Sequence, residues 1–175
     1  MDDKFQFEYS NEDDRAYGLA GMAIAIASLD SLDRITEIDL DADGPMITFS
    51  NEYYFSLSPS LSPKAVWNNL LRNYHLTTSL VLGNVMARTL VRLRYEADRE
   101  IIERVKEVVR EEGQEICSLD DEEIDILFDR VYRQSLRLFH NPRLHPAVRD
   151  LAAVISRRRR MSVLELAEEL ELLRI

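Results

Sequence analysis

Cysteine and glycine are scarce in this chain, and each scarcity excludes a class of protein. The single cysteine, Cys117, excludes an internal disulfide framework. With only five glycines, the chain contains no glycine-rich phosphate loop, no dinucleotide fingerprint and no G-x-S-x-G nucleophile elbow. We therefore expect a protein of a reducing compartment, the cytoplasm, that is more an interaction protein than an enzyme.

Long hydrophobic runs are also absent. The longest, from Ala16 to Leu29, is shorter than the roughly 20 residues that cross a bilayer. It follows an acidic stretch, whereas an export signal starts with positive charge. We expect no membrane segment. A composition of 46% hydrophobic and 31% charged residues is typical of a globular protein, and we expect a single domain over 1–175.

The N-terminal third reads as one helix with short strands. Alternating aromatic residues predict a strand over 4–10, and a helix to about Leu29 follows, rich in small residues that allow close packing. Strands are predicted over 35–40, 46–49 and 53–57, in an antiparallel meander. The breaker at Ser58 to Pro63 separates a subregion over 1–58 from a helical bundle over 62–175.

The remainder of the chain has the apolar spacing of helices. A helix is predicted over 63–75, followed by a continuous pattern from about Thr78 to Gly113. One helix of about 35 residues would be about 50 Å long, so it either bends near Gly83 or contacts a second chain. This length is the main indication of self-association. Helices over 118–140, 146–160 and 162–173 complete an α+β fold, with a small antiparallel β-sheet and a larger helical bundle.

Positive charge is concentrated in one segment of an otherwise acidic chain. The net charge is -10, yet the stretch from Arg130 to Arg160 contains nine arginines and one acid, Asp150. Arginine is a good ligand for carboxylates and phosphates because its planar fork donates two parallel hydrogen bonds. The candidate anion- or partner-binding residues are Arg130, Arg133, Arg137, Arg157, Arg158, Arg159 and Arg160.

Two interpretations of these arginines remain open. The run Arg157 to Arg160 ends a predicted helix, where cations complement the helix dipole. A helix hairpin turning near Met161 would bring the run close to glutamates such as Glu165 and Glu169. Alternatively, the arginines bind a second copy, an acidic protein partner or a nucleic-acid backbone. The acidic remainder of the chain makes nucleic acid the weaker of these partners.

Two groups of residues could hold a metal. Asp39, Asp41, Asp43 and Gly44 match the start of a D-x-D-x-D-G calcium loop, but position twelve is Ser50 instead of glutamate. A polar hairpin turn is the favoured interpretation.

The second group contains His140, His145 and Asp150, which could converge across a proline-containing turn. Each histidine adjoins a helix end or a turn, where a capping or surface role is sufficient, and this is the favoured interpretation. We therefore assign no metal ligand, catalytic residue or cofactor, and a metal-dependent hydrolase remains the third functional hypothesis.

The segment "MSVLELAEELEL", Met161 to Leu172, resembles the first helix of a helix-turn-helix unit. The given sequence ends at Ile175, where the DNA-reading helix would begin, so we do not infer DNA binding from this resemblance. The first functional hypothesis is a cytoplasmic, non-catalytic interaction protein that self-associates through its long central helix. The alternative is a nucleic-acid-associated protein that uses an arginine-rich C-terminal face.

Overall fold

The computed structural model describes residues 8–51, 53 and 62–174, except for the side chains of 116 and 117. The described residues form six α-helices and a three-stranded antiparallel sheet, which confirms the predicted α+β, mostly helical fold. The helices are α1 (Glu12–Ser28), α2 (Pro63–Met86), α3 (Arg99–Cys117), α4 (Asp121–Phe139), α5 (Leu144–Arg158) and α6 (Val163–Leu172). The strands are β1 (Ile35–Asp39), β2 (Ile47–Phe49) and β3 (Arg160–Ser162).

Helix α1 lies at the centre of the core, as its small residues predicted. Leu19, Ile24 and Ile26 are fully buried. A Cβ atom built on Gly21 would lie 2.1 Å from the Gly83 carbonyl oxygen, so the backbones of α1 and α2 touch at this point. Only glycine allows such an approach. The S-x-x-D spacing of Ser10 and Asp13 predicts a cap at Ser10, but the first turn of α1 is capped by Asn11, whose side chain accepts from the Asp14 backbone N–H.

The sheet differs from the predicted N-terminal meander because its third strand comes from the other end of the chain. β1 is central and runs antiparallel to both neighbours, with Ile38 opposite Ile47 on one side and Met161 on the other. Met161 is 1% exposed, and its burial fixes β3 in the core. The strands predicted over 4–10 and 53–57 lie mostly outside the described residues.

The prediction of one unbroken helix from about Thr78 to Gly113 is wrong. Helix α2 runs through the predicted break near His75, because the hydroxyls of Thr77 and Thr78 donate to carbonyls one turn earlier instead of starting a new helix. It continues as a π-helical turn (Ala87–Leu93) and stops at Arg94, which has a left-handed backbone (φ 61°). α3 begins five residues later, at Arg99. Because both helices pack apolar residues into the same core, the helical spacing of apolar residues in the sequence continues across the break.

Helix α4 packs one face inwards and presents the other to solvent. Ile124, Phe128 and Val131 are buried, and a capping box formed by Asp120 and Glu123 starts the helix. The S-x-x-D spacing of Ser118 and Asp121 predicts the box two residues earlier, but Ser118 ends α3 with a left-handed backbone (φ 50°). In the described part of the chain, we find no helix with both the length and the hydropathy of a membrane span.

Candidate functional site

The four consecutive arginines at the end of α5 point to different places. Arg157 and Arg158 occupy the last turn of α5, Arg159 follows it and Arg160 opens β3. Arg159 has φ 67° and ψ −48°, an unfavourable backbone for a residue with a Cβ, and it turns the chain from helix into strand. The prediction that all four residues belong to a helix end is therefore wrong for Arg159 and Arg160.

Arg158 is paired within the hairpin that the sequence predicted. Its Nη2 atom donates to Glu169 Oε1 at 2.6 Å, and its Nη1 atom lies 3.9 Å from Glu165 Oε1. Both glutamates lie on α6, which is held by a capping box between Ser162 and Glu165. This guanidinium therefore stabilises the α5 to α6 connection.

Arg159 and Arg160 connect the hairpin to the N-terminal part of the chain. Arg159 donates to both carboxylate oxygens of Asp41 and, at 2.5 Å, to Glu12 Oε1. Arg160 donates to both oxygens of Glu37 at 2.6 to 2.9 Å. Hydrogen bonds from Arg159 and Arg160 lower the pKa of Asp41 and of Glu37, respectively. Three of the four arginines in the cluster are thus already paired with carboxylates of their own chain.

The arginines on the second half of α4 have a different environment. Arg130, Arg133 and Arg137, the arginine stripe, are all exposed. Within the described residues, no carboxylate lies within 4.0 Å of Arg130 or Arg137, and Arg133 has only a 3.9 Å contact with the exposed Asp129. Such an exposed pair contributes little to stability. In the same part of the chain, Arg157 is also exposed and has no ion pair. Among the described residues, Arg130, Arg137 and Arg157 therefore lack the carboxylate partners that Arg158, Arg159 and Arg160 have.

Acidic side chains lie directly beside the arginine stripe on the same helix. The first half of α4 contains five acids and no base, and the second half contains three arginines and no acid. This arrangement stabilises the helix, because negative side chains interact favourably with the N-terminal end of the helix dipole and positive side chains with its C-terminal end. Asp125 is already bound by Arg110 at 2.7 Å and Lys106 at 3.1 Å. Glu122 is exposed, and no other described residue forms an ion pair with it.

The aspartates suggested as a calcium loop lie in the connection between β1 and β2, a polar hairpin as favoured from the sequence. Asp39 Oδ1 accepts the Asp41 backbone N–H at 2.9 Å, which stabilises the turn. Both oxygens of Asp41 are occupied by Arg159. Within the described ranges, no three histidine, cysteine or acidic side chains gather closely enough to hold a metal ion.

The two histidines of the predicted turn have separate partners. His145 Nε2 lies 2.7 Å from the Phe139 carbonyl oxygen, and His140 Nε2 lies 3.5 Å from Glu96 Oε1. Both line a cleft of about 560 Å³ between the π-helical turn and the start of α5. Arg94, Arg149 and Glu96 also line this cleft, so it contains charges of both signs. Asp150 does not belong to its lining.

One polar cluster was missed by the sequence analysis. Asp14, which is 3% exposed, accepts two hydrogen bonds from Arg88, at 2.9 Å and 2.7 Å. Burial raises the pKa of Asp14, but hydrogen bonds from Arg88 and the Ser10 backbone outweigh it and lower the pKa to about 2. The sequence does contain a signal for this cluster, because polar residues recur every four positions in a largely apolar segment, at Asn84, Arg88 and Arg92.

Comparison with known proteins adds no function to this geometry. No protein-family model, no curated protein and no solved structure matches the chain.

Proposed function

We propose that this chain is a cytoplasmic, non-catalytic interaction protein whose arginine stripe binds an acidic protein surface. The observation that carries the proposal is the contrast in pairing. Arg158, Arg159 and Arg160 have carboxylate partners at 2.6 Å or less, whereas Arg130 and Arg137 have none among the described residues. A cation without an internal partner is available for recognition.

The acidic half of α4 supports a protein partner over a nucleic acid. An extended polyanion that followed the helix away from the arginine stripe would meet Asp129 and Glu122 within a few turns. Asp129 lies 3.9 Å from Arg133, well within the Debye length of about 8 Å at physiological salt, so its repulsion of a bound polyanion is felt. A protein surface can carry acids opposite the arginines and bases opposite the acids.

The low cysteine content supports the proposed location in the cytoplasm. A chain with a single cysteine gains nothing from an oxidising compartment, and its one thiol is kept reduced in the cytoplasm.

Fluorescence anisotropy with a labelled glutamate-rich peptide tests the proposal. We expect the peptide to bind at about 0.05 M salt and to dissociate near 1 M salt, where the screening length falls to about 3 Å. The triple variant Arg130→Gln, Arg133→Gln, Arg137→Gln should lose this binding. A labelled single-stranded RNA and a DNA duplex are measured in parallel.

The matched control changes exposed arginines outside the stripe. Arg99 and Arg104 lie on α3, are exposed and form ion pairs with glutamates one turn away. Changing both to glutamine should leave peptide binding intact. Equal losses in the control and in the triple variant, or no binding by the unaltered protein, would overturn the proposal. Tighter binding of RNA or DNA than of the peptide would replace it with the nucleic-acid alternative.

A further inference from the structure

The charge pattern on the exposed face of α4 is complementary to that of a second α4 running in the opposite direction. At about 100° per residue, the side chains of its outward face fall within an arc of about 100° opposite the buried residues. All of them are exposed, and Ile126 is the apolar one, 54% exposed. In chain order they are Glu122, Ile126, Asp129, Arg130, Arg133 and Arg137.

The sign of the charge changes at the middle of the helix. The acids Glu122 and Asp129 precede the midpoint, and the three arginines follow it. If a two-fold axis crosses between Asp129 and Arg130, a second α4 runs antiparallel to the first. Its Arg137 then lies level with Glu122, and its Arg133 lies level with Ile126. Asp129 falls within one turn of the same Arg133.

We propose that the partner of the arginine stripe is a second copy of this chain, bound through an antiparallel pair of α4 helices. This inference rests on the proposed function and names its partner. The interface is isologous, so each favourable contact occurs twice. The stem of Arg133 covers Ile126, while its guanidinium reaches the acids of the other copy. In this register the two helices, about 28 Å each, overlap along all but about one residue of their length.

Arg130 distinguishes this interface from simple binding of acidic groups. It lies at the edge of the outward face beside the axis, so the Arg130 side chains of the two copies come close to each other. Like charges that meet in this way oppose association. The Arg130→Gln change should therefore preserve or strengthen the dimer, although the same change weakens binding of an acidic peptide.

Two charge-reversed variants test the register. The first, Glu122→Arg with Asp129→Arg, makes the outward face wholly basic. The second, Arg133→Glu with Arg137→Glu, leaves only Arg130 basic on that face. Each variant alone should sediment as a monomer at about 0.05 M salt, where screening is weak. An equimolar mixture should form a heterodimer, because one face is then basic and the other mainly acidic. All four changes are at exposed positions, so folding is expected to persist.

The matched control pair reverses charges on α3: Glu100→Arg in one protein and Arg104→Glu in the other, both exposed. Each control should form dimers as the unaltered chain does. The inference is overturned if the unaltered chain stays monomeric at high concentration and low salt. It is also overturned if mixing the two charge-reversed α4 variants gives no heterodimer. If the acidic peptide still binds in that case, the proposed function stands with a different partner. If the peptide does not bind, both proposals fail.

Discussion

Arg157 and Arg159 are two residues apart and have opposite surroundings. Arg157 is exposed without an ion pair among the described residues, while Arg159 binds Asp41 and Glu12 and connects three parts of the chain. The difference arises from the backbone. The positive φ at Arg159 directs the chain away from α5, so the last arginines of the run face the sheet and the first faces solvent. A run of charges in the sequence is therefore not a run of unpaired charges in the fold.

The same comparison extends to α4. The arginines that pair closely with carboxylates of their own chain stabilise the fold, whereas those that face outward on α4 form no close ion pair with another described residue. Arg88, which binds the buried Asp14, belongs to the first kind, and Arg137 belongs to the second. Substitutions that act on one kind only would sharpen this division.

The largest effect is expected from breaking the buried pair. Asp14→Asn removes the charge that compensates Arg88, and we expect a loss of about 3 kcal/mol in the free energy of unfolding. Urea unfolding at neutral pH measures it. Asp13→Asn is the control, because Asp13 is 65% exposed and also faces Arg92. A loss at Asp14 no larger than at Asp13 would contradict the account of this cluster.

Acid should reproduce part of this loss. The pKa of Asp14 is about 2 in the folded chain, below its ordinary value of 3.8. Because the folded value is lowered, the stabilisation is fully present above pH 4 and is lost as the pH falls towards 2. Its size is about 2 kcal/mol. Urea unfolding between pH 6 and pH 2 should show the curves of the unaltered chain and of Asp14→Asn converging. Parallel curves over this range would contradict the assignment.

A smaller effect is expected at Arg159, where two contributions oppose each other. Arg159→Ala removes the ion pairs to Asp41 and Glu12 but keeps a Cβ at φ 67°. Arg159→Gly removes the same ion pairs and also the backbone strain. Both variants should melt below the unaltered chain, with Arg159→Gly melting above Arg159→Ala. Thermal unfolding followed by circular dichroism decides the order, and the reverse order would show that the turn is not strained.

The smallest effect on stability is expected for the outward-facing arginines. Arg157→Gln should change the free energy of unfolding by less than about 0.5 kcal/mol, because no ion pair of the described residues is lost. Urea unfolding is again the measurement. A loss comparable to that of Arg159→Ala would mean that Arg157 is paired after all and would remove the contrast between the two residues.

Much of the helical architecture was predictable because capping and periodicity are local. Ser62 precedes a proline at the first helical position and caps α2, and the S-x-x-E signature of Ser162 and Glu165 forms the capping box of α6. Two features were not predictable because they depend on contacts between distant residues. β3 has only three residues and exists because Met161 packs beside Ile38. The helix break at Arg94 is not indicated by the sequence, because no glycine or proline lies near it.

The candidate site was predictable only in part for the same reason. The sequence identified Arg130, Arg133 and Arg137 as one face of a helix, which helical geometry alone requires. It could not separate these arginines from Arg159 and Arg160, because the carboxylate partners of these two residues lie more than 100 positions away. Pairing is a property of the fold and not of the charge run.

Sedimentation equilibrium of two double variants at low salt tests the division between outward-facing and paired arginines most directly. Arg133→Gln with Arg137→Gln should give the monomer mass of 20.4 kDa at every concentration and keep the unfolding free energy of the unaltered chain. Arg158→Gln with Arg160→Gln should melt at a lower temperature but still reach twice that mass. Equal masses for the two variants, or self-association lost only in the second, would contradict the account.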